Sequence, residues 1–267
     1  MKKKLLRLLV GGSLLSLMFV SCNTTEKIEV PEENITASEE IESDKTEETS
    51  KGTDSISDYG YENVDITEQL DYLSTKISYP KFNSCPELNE KIKKTVEAGW
   101  KDFKSYAEKS WNDIKKVNSE TSYPPFEYFV ESKVSYSGNV ISVYLRTYRF
   151  AGGAHGETFI KTFNYDSVSC RELDITEVSG YTYEELYDIC RTDLYHRLIS
   201  AEKFEITGET VNEITEMIEF GTQPMAGNYQ RFTVDEGKLT IYFEQYSVAP
   251  YSYGVQSVET NCKQIYN

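Results

Sequence analysis

Two histidines occur in the whole chain, His155 and His196, and they bound the imidazole chemistry available to it. His155 lies in Gly152-Gly153-Ala154-His155-Gly156, where the flanking glycines could pin a general base or a metal ligand. The same setting suits a structural histidine in a tight turn whose glycines supply φ > 0. No second ligand or nucleophile accompanies it, which favours the structural role. His196 sits between Tyr195 and Arg197 on a charged segment, as a surface residue would. An HExxH pair, a GxSxG elbow, a P-loop and a GxGxxG turn are all missing. Abundant acids do not by themselves make a catalytic carboxylate pair, and a thiol nucleophile is likewise unsupported. The expectation is therefore no metal, no cofactor and no enzyme. Tyrosine is the conspicuous type, with 21 in the chain. Tyr246, Tyr251 and Tyr253 flank Pro250 in QYSVAPYSYG, and Tyr148 stands just before the GGAHG run. Such rings offer contact area with a polar tip, suited to protein or sugar recognition. Equally, they could finish a core with their hydroxyls at its rim.

These residues need elements to hold them. Residues 140–151 alternate, with Ile141, Val143 and Leu145 on one face and Tyr144, Arg146, Tyr148 and Phe150 on the other. Residues 157–165 alternate again, so GGAHG joins two long antiparallel strands, preceded by a third at 126–136. Upstream, residues 72–79 have strand character ending at Pro80. Ser84 and Glu87 form a capping box for a helix reaching about Val117. Its apolar stripe is Leu88, Ile92, Val96, Trp100, Phe103, Ala107, Trp111, Ile114 and Val117. Gly99 interrupts that helix and suits a close approach. Downstream, Thr182 with Glu185 and Thr210 with Glu213 open two shorter helices. Residues 229–234 and 239–246 then form a hairpin about Asp235-Glu236-Gly237, and residues 255–262 a last strand. The order predicts an α+β fold of largely antiparallel sheets packed on one long and two shorter helices. Two halves, 59–170 and 171–267, fit that order.

The net charge of −16 is uneven. Residues 1–21 carry +4 from Lys2, Lys3, Lys4 and Arg7; residues 23–58 carry 12 acids against 3 bases, or −9; the remainder is −11. So acidic a chain is not expected to bind nucleic acid. The basic start leads into an apolar run, residues 8–20, too short to span a bilayer at ~20 residues but right for export. It ends at Ser21-Cys22, similar to a bacterial lipobox. That similarity implies cleavage before Cys22 and its acylation, placing the protein in the cell envelope, lipid-anchored to a membrane. Residues 22–58 hold no aromatic residue and read as an acidic disordered tether. Beyond Cys22, the even set Cys85, Cys170, Cys190 and Cys262 allows one or two disulfides in an exported protein, with the pairing open. Four separate thiols are the alternative.

YRFAGGAHGETFIKTFNYD and the following Leu173-Asp174-Ile175 resemble the extracytoplasmic domain of RsiV-like anti-sigma factors, a domain that also accompanies PdaC-type peptidoglycan deacetylases. NYQRFTVDEGKLTIYFEQYSVAPYSYG resembles its second half, with Ala249, Pro250 and the following aromatic as markers. Gly152, Gly153, Ala154, His155 and Gly156 mark the first half. The resemblance implies an α+β unit of two packed halves and an envelope-facing binding module, with a basic protein such as lysozyme or a cell-wall glycan as the expected partner; an envelope hydrolase using His155 and a purely structural envelope protein are the alternatives. The chain has no spanning helix or cytoplasmic anti-sigma segment, so signalling to a sigma factor is not implied.

Overall fold

The computed structural model describes residues 60–117, 123–199 and 208–267, all within a compact unit running from Asp54 to Asn267. The expected signal segment, Cys22 and the acidic stretch to residue 58 lie outside the described residues.

The first layer is a five-stranded sheet ordered β1 (Tyr61–Gln69), β2 (Leu73–Phe82), β3 (Phe126–Ser137), β4 (Val140–Phe150), β5 (Glu157–Asp166). All neighbours are antiparallel except β2 and β3, which run parallel because the long helix α1 (Pro86–Val117) carries the chain back across the sheet. One face of α1 buries Leu88, Ile92, Val96, Phe103 and Ala107 in the same core as Ile141, Val143 and Leu145 of β4. The expected stripe does not hold to its end: Trp111 and Ile114 are half-buried and Val117 is 89% exposed. A helix of 32 residues is about 48 Å long, whereas strands of ten to twelve residues cover ~35–40 Å, so its last turns overhang. Gly99 does permit a close approach, since a Cβ there would lie 2.6 Å from the Tyr128 hydroxyl.

The cap position before α1 is taken by Cys85, with φ 79, whose carbonyl accepts from the Asn89 N–H; Ser84 lies one residue too early. Strand β2 continues through Pro80 to Phe82. The Phe82 N–H points away from β1 and donates to Asn89 Oδ1, so the nitrogen of Pro80, two residues earlier, faces the same way and no ladder bond to β1 is lost. The polar edge strand β1 was not anticipated, since only Val64 and Ile66 mark its half-buried face.

The second layer is an antiparallel sheet ordered β6 (Phe232–Asp235), β7 (Lys238–Phe243), β8 (Gln256–Asn261). Glu236 and Gly237, with φ 47 and φ 82, make the expected tight hairpin turn. Helices α2 (Ile175–Ser179), α3 (Tyr183–Leu198) and α4 (Gly208–Gly221) cover this sheet, with Leu186, Leu194, Ile214 and Ile218 in the same core as Leu239 and Ile241. Capping boxes open α2 at Asp174 and α3 at Thr182. Helix α4 starts at Gly208, so Thr210 lies inside its first turn rather than before it.

The layers meet edge to face. The free edge of β6 lies on the five-stranded sheet, and polar side chains there satisfy its backbone. Ser142 Oγ accepts from the Val234 N–H, Ser135 Oγ donates to the Val234 carbonyl, and Asn164 Nδ2 donates to the Phe232 carbonyl, all at 2.9 Å. An edge strand that would otherwise offer unpaired groups is thereby closed.

Candidate functional site

Beyond the last β4–β5 pair, Arg149 opposite Glu157, residues 151–156 form the loop. Gly152 and Gly153 adopt φ 82 and φ 101, backbone that favours glycine. Gly156 is buried, and a Cβ there would come within 2.4 Å of the Tyr148 ring, so that glycine is set by close packing. Tyr148 stacks in turn on Phe129, with centroids 6.0 Å apart.

A second segment is brought to this loop by the end of β7. Glu244 Oε1 accepts from the Ile160 N–H at 3.0 Å and Gln245 Oε1 from the Thr158 N–H at 3.1 Å, closing the outer edge of β5. Arg231 donates to the Ile160 carbonyl and pairs with Glu244 at 2.6 Å. The chain then passes Tyr246, held at φ 68, and Pro250. Tyr251 follows, opening a short 3-10 turn, and donates its hydroxyl to the Gly156 carbonyl. Its ring stacks on His155 with centroids 4.0 Å apart and planes 26° from parallel, and Tyr246 lies 5.7 Å from Tyr251 on centroids.

The result is a pocket of about 190 Å³ lined by His155, Glu157, Phe159, Gln245, Tyr246 and Tyr251 among others. The rim carboxylates are engaged. Glu157 pairs with Arg149 at 3.1 Å, Arg149 lies over the Phe159 ring at 4.2 Å, and Glu244 is held by Arg231. His155 is exposed, with Nδ1 3.4 Å from the Gly156 carbonyl. Chemically the site offers flat aromatic faces beside a few polar groups, suited to an amphipathic ligand.

Tyr148, His155, Gly156, Tyr246 and Tyr251 are thus brought together. Ala249 is buried in the second core, and Tyr253 packs against that core, away from the pocket. His196 is exposed on α3. Phe159, Glu157 and Gln245 were missed, although each lies within four residues of a marked motif residue. Among the described residues, no three His, Cys, Asp or Glu side chains come together as a metal site would require. Cys85 and Cys190 are buried, Cys170 and Cys262 half-buried, all as free thiols. No helix among the described residues is long and apolar enough to cross a membrane.

Residues 66–158 match the family described as Deacetylase PdaC, and residues 180–260 match a protein family of unknown function, DUF3298. The chain thus carries a segment similar to the PdaC family followed by one similar to DUF3298. The GGAHG loop falls in the PdaC-type match and Tyr251 in the DUF3298 match, so the His155–Tyr251 stack bridges the two. The peptidoglycan-N-acetylmuramic acid deacetylase PdaC of Bacillus subtilis (strain 168) is 27% identical over 205 residues, covering 75% of this chain and 40% of that protein. The chain therefore spans less than half the length of this relative. A crystal structure of a DUF3298 family member from Bacteroides fragilis shares the fold, with a TM-score of 0.51 at 19% identity over 76% of this chain and 90% of that one. The expectation of a protein that is not an enzyme is overturned, since the matched family and this curated relative are both named as a deacetylase.

Proposed function

We propose that this chain is an extracytoplasmic unit that engages peptidoglycan, holding its N-acetylated glycan at the pocket formed by His155, Tyr246 and Tyr251. The observation that carries this reading is the His155–Tyr251 stack, in which an exposed ring and a half-buried one build a single aromatic surface from both matched segments. A pyranose ring has a face of C–H groups that lies well on an aromatic plane, while its hydroxyls and acetamide need hydrogen-bonding neighbours. Thr158, Gln245 and the His155 ring stand beside the pocket for that purpose. The name of the curated relative, a deacetylase of N-acetylmuramic acid in peptidoglycan, supports the same ligand class.

The test is calorimetric titration of the full chain with soluble N-acetylated peptidoglycan fragments. Saturable binding that Tyr251→Ala weakens about tenfold, a loss of ~1.4 kcal/mol, supports the site; no heat with any fragment refutes it. Acetate released in the same cell reports whether the reaction named for the relative follows binding. Anchoring through acylated Cys22 is part of the proposal. Cys22→Ser should then lose labelled fatty acid and leave the membrane fraction.

The net charge of −16 supports a second reading, capture of a small basic protein such as lysozyme at the same aromatic edge. Salt separates the two. Charge-steered protein capture weakens steeply between low and physiological ionic strength, whereas stacking of a sugar does not.

A further inference from the structure

The four cysteines of the described residues are held in two ways. Cys190 and Cys262 lie in and against the core of the second layer. Cys85 is buried at the turn between β2 and α1, and Cys170 is half-buried in the turn after β5, both in the core beneath α1. The Cys85 and Cys170 thiols lie within reach of each other in that core. Both residues hold left-handed backbone, φ 79 and φ 54, a conformation disfavoured wherever a Cβ is present. Their two turns are fastened together by neighbours. Lys91 of α1 pairs with Glu172 at 2.5 Å, and the Cys170 N–H donates to the Asp166 carbonyl at 2.8 Å.

We propose that Cys85 and Cys170 close into a disulfide that staples the start of α1 to the turn after β5. The oxidant is itself a disulfide, either a small molecule or a protein of an oxidising compartment. The more exposed thiolate, Cys170, attacks one sulfur of that disulfide, forming a mixed disulfide and expelling one thiolate. The Cys85 thiolate then attacks the Cys170 sulfur and expels the second. One protein S–S bond forms and the external S–S bond breaks. The two electrons reduce the oxidant, and the two thiol protons end on its two sulfurs. Burial above all pushes the Cys85 thiol up to about 12, so its attack should speed up as pH rises. Closing a loop of some 85 residues restricts the unfolded chain strongly, which favours the native state.

The full chain, without substitutions, is incubated with oxidised glutathione, trapped with an alkylating reagent and digested without reduction. The expected result is one cross-linked peptide pair containing Cys85 and Cys170, with the melting temperature raised by about 10 °C over the reduced protein. Alkylation of both cysteines after oxidation overturns the proposal, as does a cross-link joining either of them to another cysteine. Cys170→Ser, at the half-buried position, should keep the helical spectrum and lose the temperature shift. Because the mapping uses the unsubstituted chain, a variant that failed to fold would leave the test intact.

Discussion

At Gly156 the missing side chain is what allows Tyr148 to lie under the loop, with two ring carbons and the hydroxyl oxygen within 2.5 Å of where a Cβ would stand. Gly153 presents the opposite case, with no atom within 4 Å but φ +101. The two glycines separate packing from backbone conformation. Gly156→Ala must displace a ring already stacked on Phe129 and should cost about 1–3 kcal/mol. Gly153→Ala carries only the backbone cost, about 1–2 kcal/mol. Urea unfolding of both should also show that Gly156→Ala alone perturbs the Tyr148 environment; an unperturbed ring would contradict the packing account. At this scale the sequence was informative about residue type but not about reach. GGAHG and APY were each marked in the chain, and nothing in either motif states that His155 would rest on Tyr251, some 95 residues away. That contact depends on Glu244 and Gln245 closing the edge of β5, a long-range tie that carries no local pattern.

Among the elements, strand β6 depends most on its neighbours, since its free edge is satisfied by side chains rather than by another strand. Asn164 is central to that junction: Oδ1 accepts from Ser142 at 2.6 Å and Nδ2 donates to the Phe232 carbonyl at 2.9 Å, in a site only 3% exposed. Asn164→Ala leaves a buried donor and a buried acceptor unpartnered and should cost roughly 2–4 kcal/mol. Glu62→Ala, which removes an exposed ion pair with Lys81 on the edge strand β1, should cost under ~1 kcal/mol. Chemical denaturation of both variants checks the contrast, and equal costs would contradict the edge-to-face account. Elements with strong periodicity were legible in the sequence: α1, the β4–β5 pair and the β6–β7 hairpin stand where alternation or helical spacing put them. Strand β1 was not, because an edge strand buries only a half-face, and α2 was not, because five residues hold too few apolar positions to show a period. The parallel β2–β3 pair follows from α1 crossing the sheet, which composition alone does not reveal.

For the whole molecule, the tyrosines and acids that fasten its parts also set its pH limits. Burial raises Tyr128 and Tyr144 to about 12, and Tyr229 is pushed upward in the same way. Their folded values lie above the ordinary 10, so this stability is whole below pH 10 and is lost as pH climbs toward 12. On the acid side, the Tyr187 hydroxyl, with Arg191 and Tyr195, holds Glu219 below the ordinary 4.5, and Arg171 does the same for Glu177. That contribution is present above 4.5 and is lost as pH falls below it. Thermal melts across pH should trace a plateau with both shoulders, and tyrosinate absorbance should rise with unfolding on the alkaline side. A melting temperature unchanged between pH 10 and 12 would contradict the burial of those hydroxyls. The central claim concerns a single surface assembled from both family segments. It is tested most directly by a double-mutant cycle of His155→Ala and Tyr251→Ala on the affinity for N-acetylated peptidoglycan fragments. The account predicts that each variant weakens binding about tenfold and that the pair loses clearly less than the product, because the two rings act as one stack. Wild-type affinity in either single variant, or full additivity of the two losses, would contradict it.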